Sequence, residues 1–208
     1  MIGVGNKILI PDSIILKVWD TDIVEVTNPT TGRVWMDRNI GATRAATSST
    51  DSDAYGHLFQ WGRGSDGHEL RTSSTTITLS TTDVPGHDMF IRSAYYPYDW
   101  RDPQNSNLWQ SNIEGNWRLP TKSELDEELG TWATNNRDGA YGSVLKLPVG
   151  GRRMNNGTFS NVGIEGYYWS RSAGGDSGVY INFGSSSANT GYTYRGFAYS
   201  VRLIKDEG

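Results

Sequence analysis

The residue types between positions 166 and 199 favour contact chemistry with a ligand. About two-thirds of these residues are Tyr, Ser, Gly, Asn or Asp, and charged side chains are sparse there. Tyrosine offers a large amphipathic contact area with few torsions to order, and Ser, Gly and Asn adapt their hydrogen bonds and backbone to a partner. This composition is typical of an antibody combining surface, so the segment is predicted to bind a ligand.

Alternation along this segment separates apolar from polar positions. In an extended strand Val179, Ile181 and Phe183 point to one face, and Tyr180 and Asn182 point to the other. The first face is predicted to be core, which leaves the second face free to contact a ligand.

The candidate ligand-binding residues follow from this pattern and from the end of the same segment, where Tyr192 and Tyr194 share a face across Thr193. We expect the aromatic candidates and Asn182 to be largely exposed and clustered on one face, with the two charged candidates at its edge. The full set is Tyr180, Asn182, Tyr192, Tyr194, Phe197, Arg171 and Asp176. An ordinary edge sheet with exposed tyrosines is the alternative interpretation.

Catalytic chemistry has little support in the sequence. The chain has no cysteine, and none of its histidines, His57, His68 and His87, stands in a metal-ligand spacing such as His-x-x-x-His. A Gly-x-Ser-x-Gly elbow is absent, and residues 62–67 lack the Lys-Ser/Thr pair of a phosphate loop. We therefore predict no catalytic residue, no metal and no cofactor, and a chain that is not an enzyme.

Length and charge exclude further classes of function. A chain of 208 residues suits one domain, and a net charge of −4 without a basic run offers no footprint for nucleic acid. No apolar run approaches the roughly 20 residues of a membrane helix, so we expect no membrane insertion. The first residues lack the long apolar stretch of a signal peptide.

One helix is clearly marked in the sequence. Thr121 and Glu124 have the spacing of a capping box, and Leu125, Leu129 and Trp132 fall on one face of a helix over residues 121–132. We expect that face to pack on a sheet that includes the C-terminal strand. A second, short helix is predicted over residues 54–61.

Other segments are predicted to be strands and loops. Asn156-Gly157 predicts a hairpin. Residues 1–28 read as short strands that pair with the main domain or serve as an attachment segment, and residues 29–208 form the binding domain. The polar segment 62–107 is expected to be ordered by four aromatic anchors, with a local Asp–Arg pair within residues 99–102. The anchors are Tyr95, Tyr96, Tyr98 and Trp100.

Six motifs carry a resemblance to the Fibrobacter succinogenes major paralogous domain family, and they run in order through nearly the whole chain. They are residues 32–42 (GRVWMDRNIGA), 55–63 (YGHLFQWGR), 116–121 (NWRLPT), 145–151 (LKLPVGG), 168–170 (YWS) and 200–202 (SVR). The resemblance implies an α+β, C-type-lectin-like fold with a mixed twisted sheet, two helices and long irregular loops. It also makes the chain similar to the variable proteins of diversity-generating retroelements, many of which lie on phage tail tips or bacterial surfaces.

The sequence departs from the family in two respects. The cysteines that relatives often carry before the Trp-Arg-Leu-Pro motif and near the C-terminus are missing, so no disulfide is expected. The calcium-type sugar-binding tripeptides of true C-type lectins are missing as well, so the resemblance does not extend to calcium-dependent sugar binding.

These observations lead to a hypothesis and two alternatives. The chain is predicted to be a ligand- or receptor-binding protein at a phage tail tip or diversified by a retroelement, with a protein or glycan receptor on a cell surface as partner. A virion or cell-surface location follows, and a homo-oligomer is compatible with it. The alternatives are a bacterial surface adhesin or structural module, and a carbohydrate-active or formylglycine-generating-like enzyme. The last is disfavoured because formylglycine chemistry depends on active-site cysteines.

Overall fold

The computed structural model describes residues 17–206. They form fifteen strands, two α-helices and a 3-10 helix at Ser52–Ala54. The helices are α1 (Lys122–Leu129) and α2 (Arg137–Gly142). The strands are β1 (Lys17–Val18), β2 (Thr21–Asp22), β3 (Glu25–Thr27), β4 (Val34–Met36), β5 (Phe59–Gln60), β6 (Thr75–Thr76), β7 (Phe90–Ile91), β8 (Trp117–Arg118), β9 (Arg152–Arg153), β10 (Phe159–Ser160), β11 (Gly166–Gly174), β12 (Ser177–Phe183), β13 (Ala188–Tyr194), β14 (Ala198–Tyr199) and β15 (Ile204–Lys205).

The strands form small sheets around one long meander. The pairing orders are β3-β4-β15-β8, β10-β9-β14-β5 and β11-β12-β13, with the two-stranded pairs β1-β2 and β6-β7. All are antiparallel except β6-β7. The molecule is therefore mixed α+β with two α-helices and long irregular connections, which confirms the coarse fold class.

The meander β11-β12-β13 has a covered layer on each side. Tyr167 and Trp169 of β11 pack into a core cluster with Phe59, Trp61 and Tyr199. The side chains of Tyr168, Ile181 and Phe183 point to the opposite face of the sheet, into a second core cluster. Its members include Trp35, Leu125, Tyr168, Ile181, Phe183 and Ile204. Because side chains alternate across a strand, this central sheet buries residues on both of its faces.

Helix α1 begins as its capping box predicts. The Thr121 hydroxyl accepts from the Glu124 N–H at 3.2 Å, and the Glu124 carboxylate accepts from the Thr121 N–H at 2.8 Å. Both Nη atoms of Arg118 also donate to Glu124, each at 2.8 Å. Burial alone would raise the pKa of Glu124, but these bonds outweigh it and lower the pKa to about 2.

The predicted packing of α1 is confirmed for its apolar face and wrong for the sheet. Leu125 and Trp132 are buried, and Leu129 is half-buried against the same cluster. The sheet beneath α1 is β11-β12-β13, whereas the C-terminal strand β15 pairs with β4 and β8. Ile204 reaches the shared core from that separate sheet.

The second helix lies elsewhere than predicted. Over residues 54–61 the chain makes only the end of the 3-10 turn that Asp51 caps, and it then enters β5. Gly56 adopts a φ of +65°, a left-handed conformation that ends a right-handed helix. The helix that does form is α2, where the Asn136 side chain accepts from the N–H groups of Asp138 and Gly139.

The segment 62–107 is ordered by other residues than its tyrosines. Trp100 is buried as predicted and Tyr98 is half-buried, but Tyr95 and Tyr96 are exposed and do not anchor the segment by burial. The buried Arg63 holds the segment by donating to Met89 O at 3.0 Å and to His87 O at 2.8 Å. The polar Arg63 side chain therefore orders the segment, which is the role that the sequence predicts for buried aromatic residues.

The expected local Asp–Arg pair around Trp100 is also replaced by longer-range contacts. Arg101 Nε lies 2.7 Å from Asp83 Oδ1, and Asp99 accepts from Gln104 Nε2 at 2.8 Å. The Trp100 indole N–H donates to Trp61 O at 2.8 Å, which fixes the ring directly.

Two further segments compare with prediction as follows. The Asn-Gly hairpin is confirmed, since β9 pairs with β10 and Gly157 between them adopts a φ of +88°. Of the N-terminal segment, residues 1–16 lie outside the described residues. Val18 is buried in the first core cluster and β3 pairs with β4, while the role of attachment segment stays a prediction.

Candidate functional site

The register of the meander divides the candidate residues between two sheet faces. Tyr180 lies opposite Trp169 and Gly191. Tyr192 lies opposite Val179, so it belongs to the face that carries the apolar residues of β12. The same register places Tyr194 on that face and Asn182 on the other. The predicted cluster on one face is therefore wrong.

Tyr180 and Asn182 are not largely exposed, which corrects the prediction for both. The Tyr180 ring centroid lies 5.3 Å from that of Tyr199 and 6.4 Å from those of Tyr167 and Trp169. Alternation along β12 is as predicted, but the face opposite Val179, Ile181 and Phe183 covers the first core cluster, that of Phe59, Trp61 and Tyr199, instead of meeting solvent.

Phe197 is half-buried as well, in contrast to the prediction. Its ring packs 6.2 Å from the Tyr199 ring, and the Arg152 guanidinium lies 5.8 Å from its centroid. Arg171 lies at a different place from the tyrosines: its N–H donates to Pro120 O and its carbonyl accepts from Gln110 Nε2 at 2.9 Å.

Tyr192 is largely exposed as predicted, at 59% of its surface, whereas Tyr194 is exposed over only 36%. A Cβ added to Gly174 would lie 2.6 Å from the Tyr192 ring, so the absence of a side chain at Gly174 makes room for that ring. Tyr192 therefore stands directly over the end of β11, next to the turn that carries Asp176.

Tyr194 joins these residues to a segment that the sequence did not assign to the site. The Tyr194 ring lies 4.8 Å from the Tyr98 ring and 6.3 Å from the Tyr96 ring. Tyr96 is 68% exposed, and its hydroxyl donates to the half-buried Asp176 carboxylate. We call this group the tyrosine surface: Tyr96, Tyr98, Tyr192, Tyr194 and Asp176.

The missed tyrosines had a signal in the sequence. Tyr95-Tyr96-Pro97-Tyr98 is the densest run of aromatic residues within a polar segment, and it was interpreted as a set of buried anchors. Loops carried by a rigid scaffold often contact partners, and the exposure of Tyr95 and Tyr96 agrees with that second interpretation of the run.

A buried polar network supports the tyrosine surface from below. Gln104 Nε2 donates to Asp99 Oδ2 at 2.8 Å and to Asp176 O at 3.2 Å. The Arg195 Nη2 donates to Gly175 O at 2.7 Å, and its guanidinium lies 4.6 Å from the Trp61 ring. The network ties the turn at residues 175–176 to the loop that carries Tyr96.

Arg195 and Asp99 are themselves deeply buried in this network. Arg195 Nη1 lies 3.9 Å from Asp99 Oδ2. Burial raises the pKa of the Asp99 carboxyl and lowers that of the Arg195 guanidinium. Removing either charge would leave the other desolvated without its partner, which is strongly destabilising.

Gly196 sets how closely the segment after β13 approaches the loop that carries Tyr96 and Tyr98. Its N–H donates to Tyr98 O at 2.8 Å. A Cβ at this position would lie 2.4 Å from both Tyr98 O and Ser93 Oγ. Only glycine therefore lets the chain after β13 lie directly against the loop of residues 93–98.

A groove opens beside the tyrosine surface and shares Tyr96 with it. Its volume is about 620 Å³, within the range of small-ligand sites. Two of its lining residues, Ser93 and Asp99, are buried. The lining residues are Ile77, Leu79, Arg92, Ser93, Ala94, Tyr95, Tyr96, Pro97, Asp99, Arg101 and Asp102.

Asp66, His68 and Glu69 bring their ligand-type atoms within 4.8 Å of one another, but these atoms are already engaged. His68 Nε2 accepts from the Gln60 N–H at 3.1 Å, so the proton lies on Nδ1, which donates to Asp66 Oδ1 at 2.7 Å. Glu69 accepts from the Gly67 N–H at 2.8 Å. Burial lowers the pKa of His68. The group is a neutral-histidine network that orders its loop.

Within residues 17–206, no helix has the length and apolar character needed to cross a membrane. Comparison with protein-family models, with curated proteins and with solved structures finds no match to this chain. The class that the fold and site define is thus an α+β domain with an exposed tyrosine surface beside a groove.

Proposed function

We propose that this chain is a ligand- or receptor-binding protein that presents the tyrosine surface on a C-type-lectin-like scaffold. The observation that carries the proposal is the convergence of exposed tyrosines from two distant segments. Tyr192 and Tyr194 come from β13, whereas Tyr96 comes from the loop before Trp100, and Asp176 joins them through the Tyr96 hydroxyl.

The physical chemistry of this surface suits recognition. Each tyrosine contributes a wide apolar ring and a hydroxyl while losing little side-chain entropy on binding. The bonds of Gln104 and Arg195 hold the backbone beneath the rings in place. A surface that is ordered before binding loses less freedom when a partner arrives.

We also propose that the chain is not an enzyme. His68, the most deeply buried histidine, has both ring nitrogens engaged in structural hydrogen bonds. Burial lowers the pKa of the half-buried His57, which keeps that ring neutral. The ring of His68 is therefore occupied by structural bonds, which supports a binding role over a catalytic one.

The sequence motifs support a more specific form of the proposal. Because they resemble the Fibrobacter succinogenes major paralogous domain and the variable proteins of diversity-generating retroelements, we propose a protein or glycan receptor on a cell surface as partner. A location on a virion or cell surface follows from that. Sequencing the flanking DNA tests diversification. A reverse-transcriptase gene together with a near-repeat of the DNA that encodes the C-terminus would support it, and the absence of both would contradict it.

Adsorption of the fluorescently labelled chain to a panel of intact bacterial strains tests the binding role. We expect saturable adsorption to at least one strain. Tyr192→Ala and Tyr194→Ala should weaken it by about 30-fold each, because a central aromatic contributes 2 kcal/mol or more to an interface.

Ile164→Ala is the matched control. Ile164 is 58% exposed, nearly the same as Tyr192, but it precedes β11, whereas Tyr192 lies over Gly174 at the other end of that strand. Its adsorption should equal that of the unmodified chain. Adsorption to no strain, or equal adsorption by the tyrosine variants and the control, contradicts the proposal.

A further inference from the structure

The floor of the groove beside the tyrosine surface is polar. Ser93 and Asp99 are both buried, yet both line the groove. The Ser93 hydroxyl has no hydrogen-bond partner among the described residues. Its oxygen is closed to solvent and lies against Gly196, where an added Cβ would come within 2.4 Å of it, so a molecule in the groove does not reach it.

Asp99 adds acceptor capacity to the same floor. Its carboxylate accepts from Gln104 Nε2 and from the Arg101 N–H, the latter at 3.3 Å. An ionised carboxylate offers about four lone-pair sites, so further donors can be accommodated. The floor therefore favours a ligand that carries hydroxyl donors.

The walls of the groove are apolar and aromatic. Ile77 and Leu79 are exposed on one part of the lining, and Tyr95, at 86% exposure, stands with Tyr96 on another. Exposed apolar side chains that surround a polar floor match the general pattern of ligand sites. They suit a molecule with an apolar face of its own.

The charges of the lining cancel. Arg92 and Arg101 are positive, Asp99 and Asp102 are negative, and Arg101 is further neutralised by its pair with Asp83. A cationic side chain would meet the two arginines, and an anionic group would meet the two aspartates. The lining thus favours a neutral ligand.

We propose that this groove binds a neutral sugar ring of a glycan, with a hydroxyl at Asp99 and its C–H face on Tyr95 and Tyr96. A pyranose combines the three properties that the groove selects: no charge, several hydroxyl donors, and an apolar face. The inference rests on the proposed function and deepens it, because Tyr96 belongs to both the groove and the tyrosine surface.

A glycan array that contains neutral, sialylated and sulfated oligosaccharides tests the inference, followed by calorimetric titration with the neutral oligosaccharide that binds best. We expect neutral glycans to be preferred. Tyr95→Ala should weaken the affinity by roughly three- to tenfold through loss of ring contact.

Tyr95→Ala is the decisive variant, because the side chain is exposed and its removal leaves the core untouched. Circular dichroism checks its fold, and Ile164→Ala serves as the control with unchanged affinity. Preference for acidic glycans, equal binding by Tyr95→Ala, or binding of a lysine-rich peptide in place of glycans overturns the inference.

The outcomes separate this inference from the proposed function. If no neutral glycan binds but adsorption to cells still depends on Tyr192 and Tyr194, the groove inference alone fails. If adsorption also fails, the proposed function falls with it.

Discussion

The tyrosines of this protein form two groups with opposite environments. Tyr167, Tyr168 and Tyr199 are buried in the two core clusters, whereas Tyr96 and Tyr192 project into solvent. Tyr168 and Tyr192 belong to the same three-stranded meander. The difference teaches that a Tyr-rich composition does not by itself identify a binding surface, because the layer that lies across the sheet decides which rings are available.

The largest expected effect concerns the buried group. Tyr168→Ala should destabilise the chain by about 3–5 kcal/mol, because it leaves a cavity beneath the meander and removes the hydroxyl that donates to Pro148 O at 2.8 Å. Urea unfolding measures the loss. Tyr168→Phe, which keeps the ring, should lose only about 1–2 kcal/mol; equal losses would show that packing is not the main contribution.

The dependence of stability on alkaline pH should distinguish the buried tyrosines from the exposed ones. Burial raises the pKa of Tyr168 to about 12, while an unfolded tyrosine ionises near pH 10. The folded chain thus holds the proton longer, so this stabilisation is complete below pH 10 and is lost as the pH rises from 10 to 12. The loss is about 2–3 kcal/mol. The free energy of unfolding, measured across this pH range, should fall less steeply for Tyr168→Phe than for the unmodified chain.

Tyr180 lies between the two groups and should behave accordingly. Its half-buried ring packs on Tyr199 at 5.3 Å, so Tyr180→Ala should lose about 1–2 kcal/mol of stability. The exposed Tyr192→Ala is the comparison, with a change within about 0.5 kcal/mol. Thermal unfolding of the two variants measures the difference. If Tyr180→Ala leaves the stability unchanged, Tyr180 belongs with the exposed tyrosines.

The smallest expected effect is that of a chelator. Among residues 17–206, the group with ligand-type atoms close enough for a metal is Asp66, His68 and Glu69, and these atoms are engaged with protein atoms. The melting temperature should be the same with and without EDTA. A marked fall on chelation would reveal an ion that binds the folded state.

Local signals in the sequence predicted local structure well. The Thr121/Glu124 capping box and the Asn-Gly hairpin each act over a few residues, and both form as expected. The apolar alternation of Val179, Ile181 and Phe183 correctly marked a buried face. The cap and the hairpin are determined by contacts within a few positions along the chain, whereas the buried face of β12 is marked by its local alternation alone.

What sequence reasoning missed depends on contacts between distant segments. Nothing local to Tyr180 reveals that Tyr199 and Tyr167 cover it, so it was assigned to the surface. Tyr95 and Tyr96 were assigned to the core for the converse reason. Helix α2 escaped because Gly139 and Gly142 have low helix propensity, although its Asn136 cap was visible.

The close approach at Gly196 has a consequence for the thermodynamics of recognition. Since the segment after β13 and the loop of residues 93–98 touch through a position without a side chain, the rings on both are held together before any partner arrives. A side chain there would separate the two segments and change no ring that meets a partner. If the chain binds a partner as proposed, its affinity would then fall through an entropic penalty, with faster dissociation as the kinetic sign, although Gly196 itself lies outside the proposed contact surface.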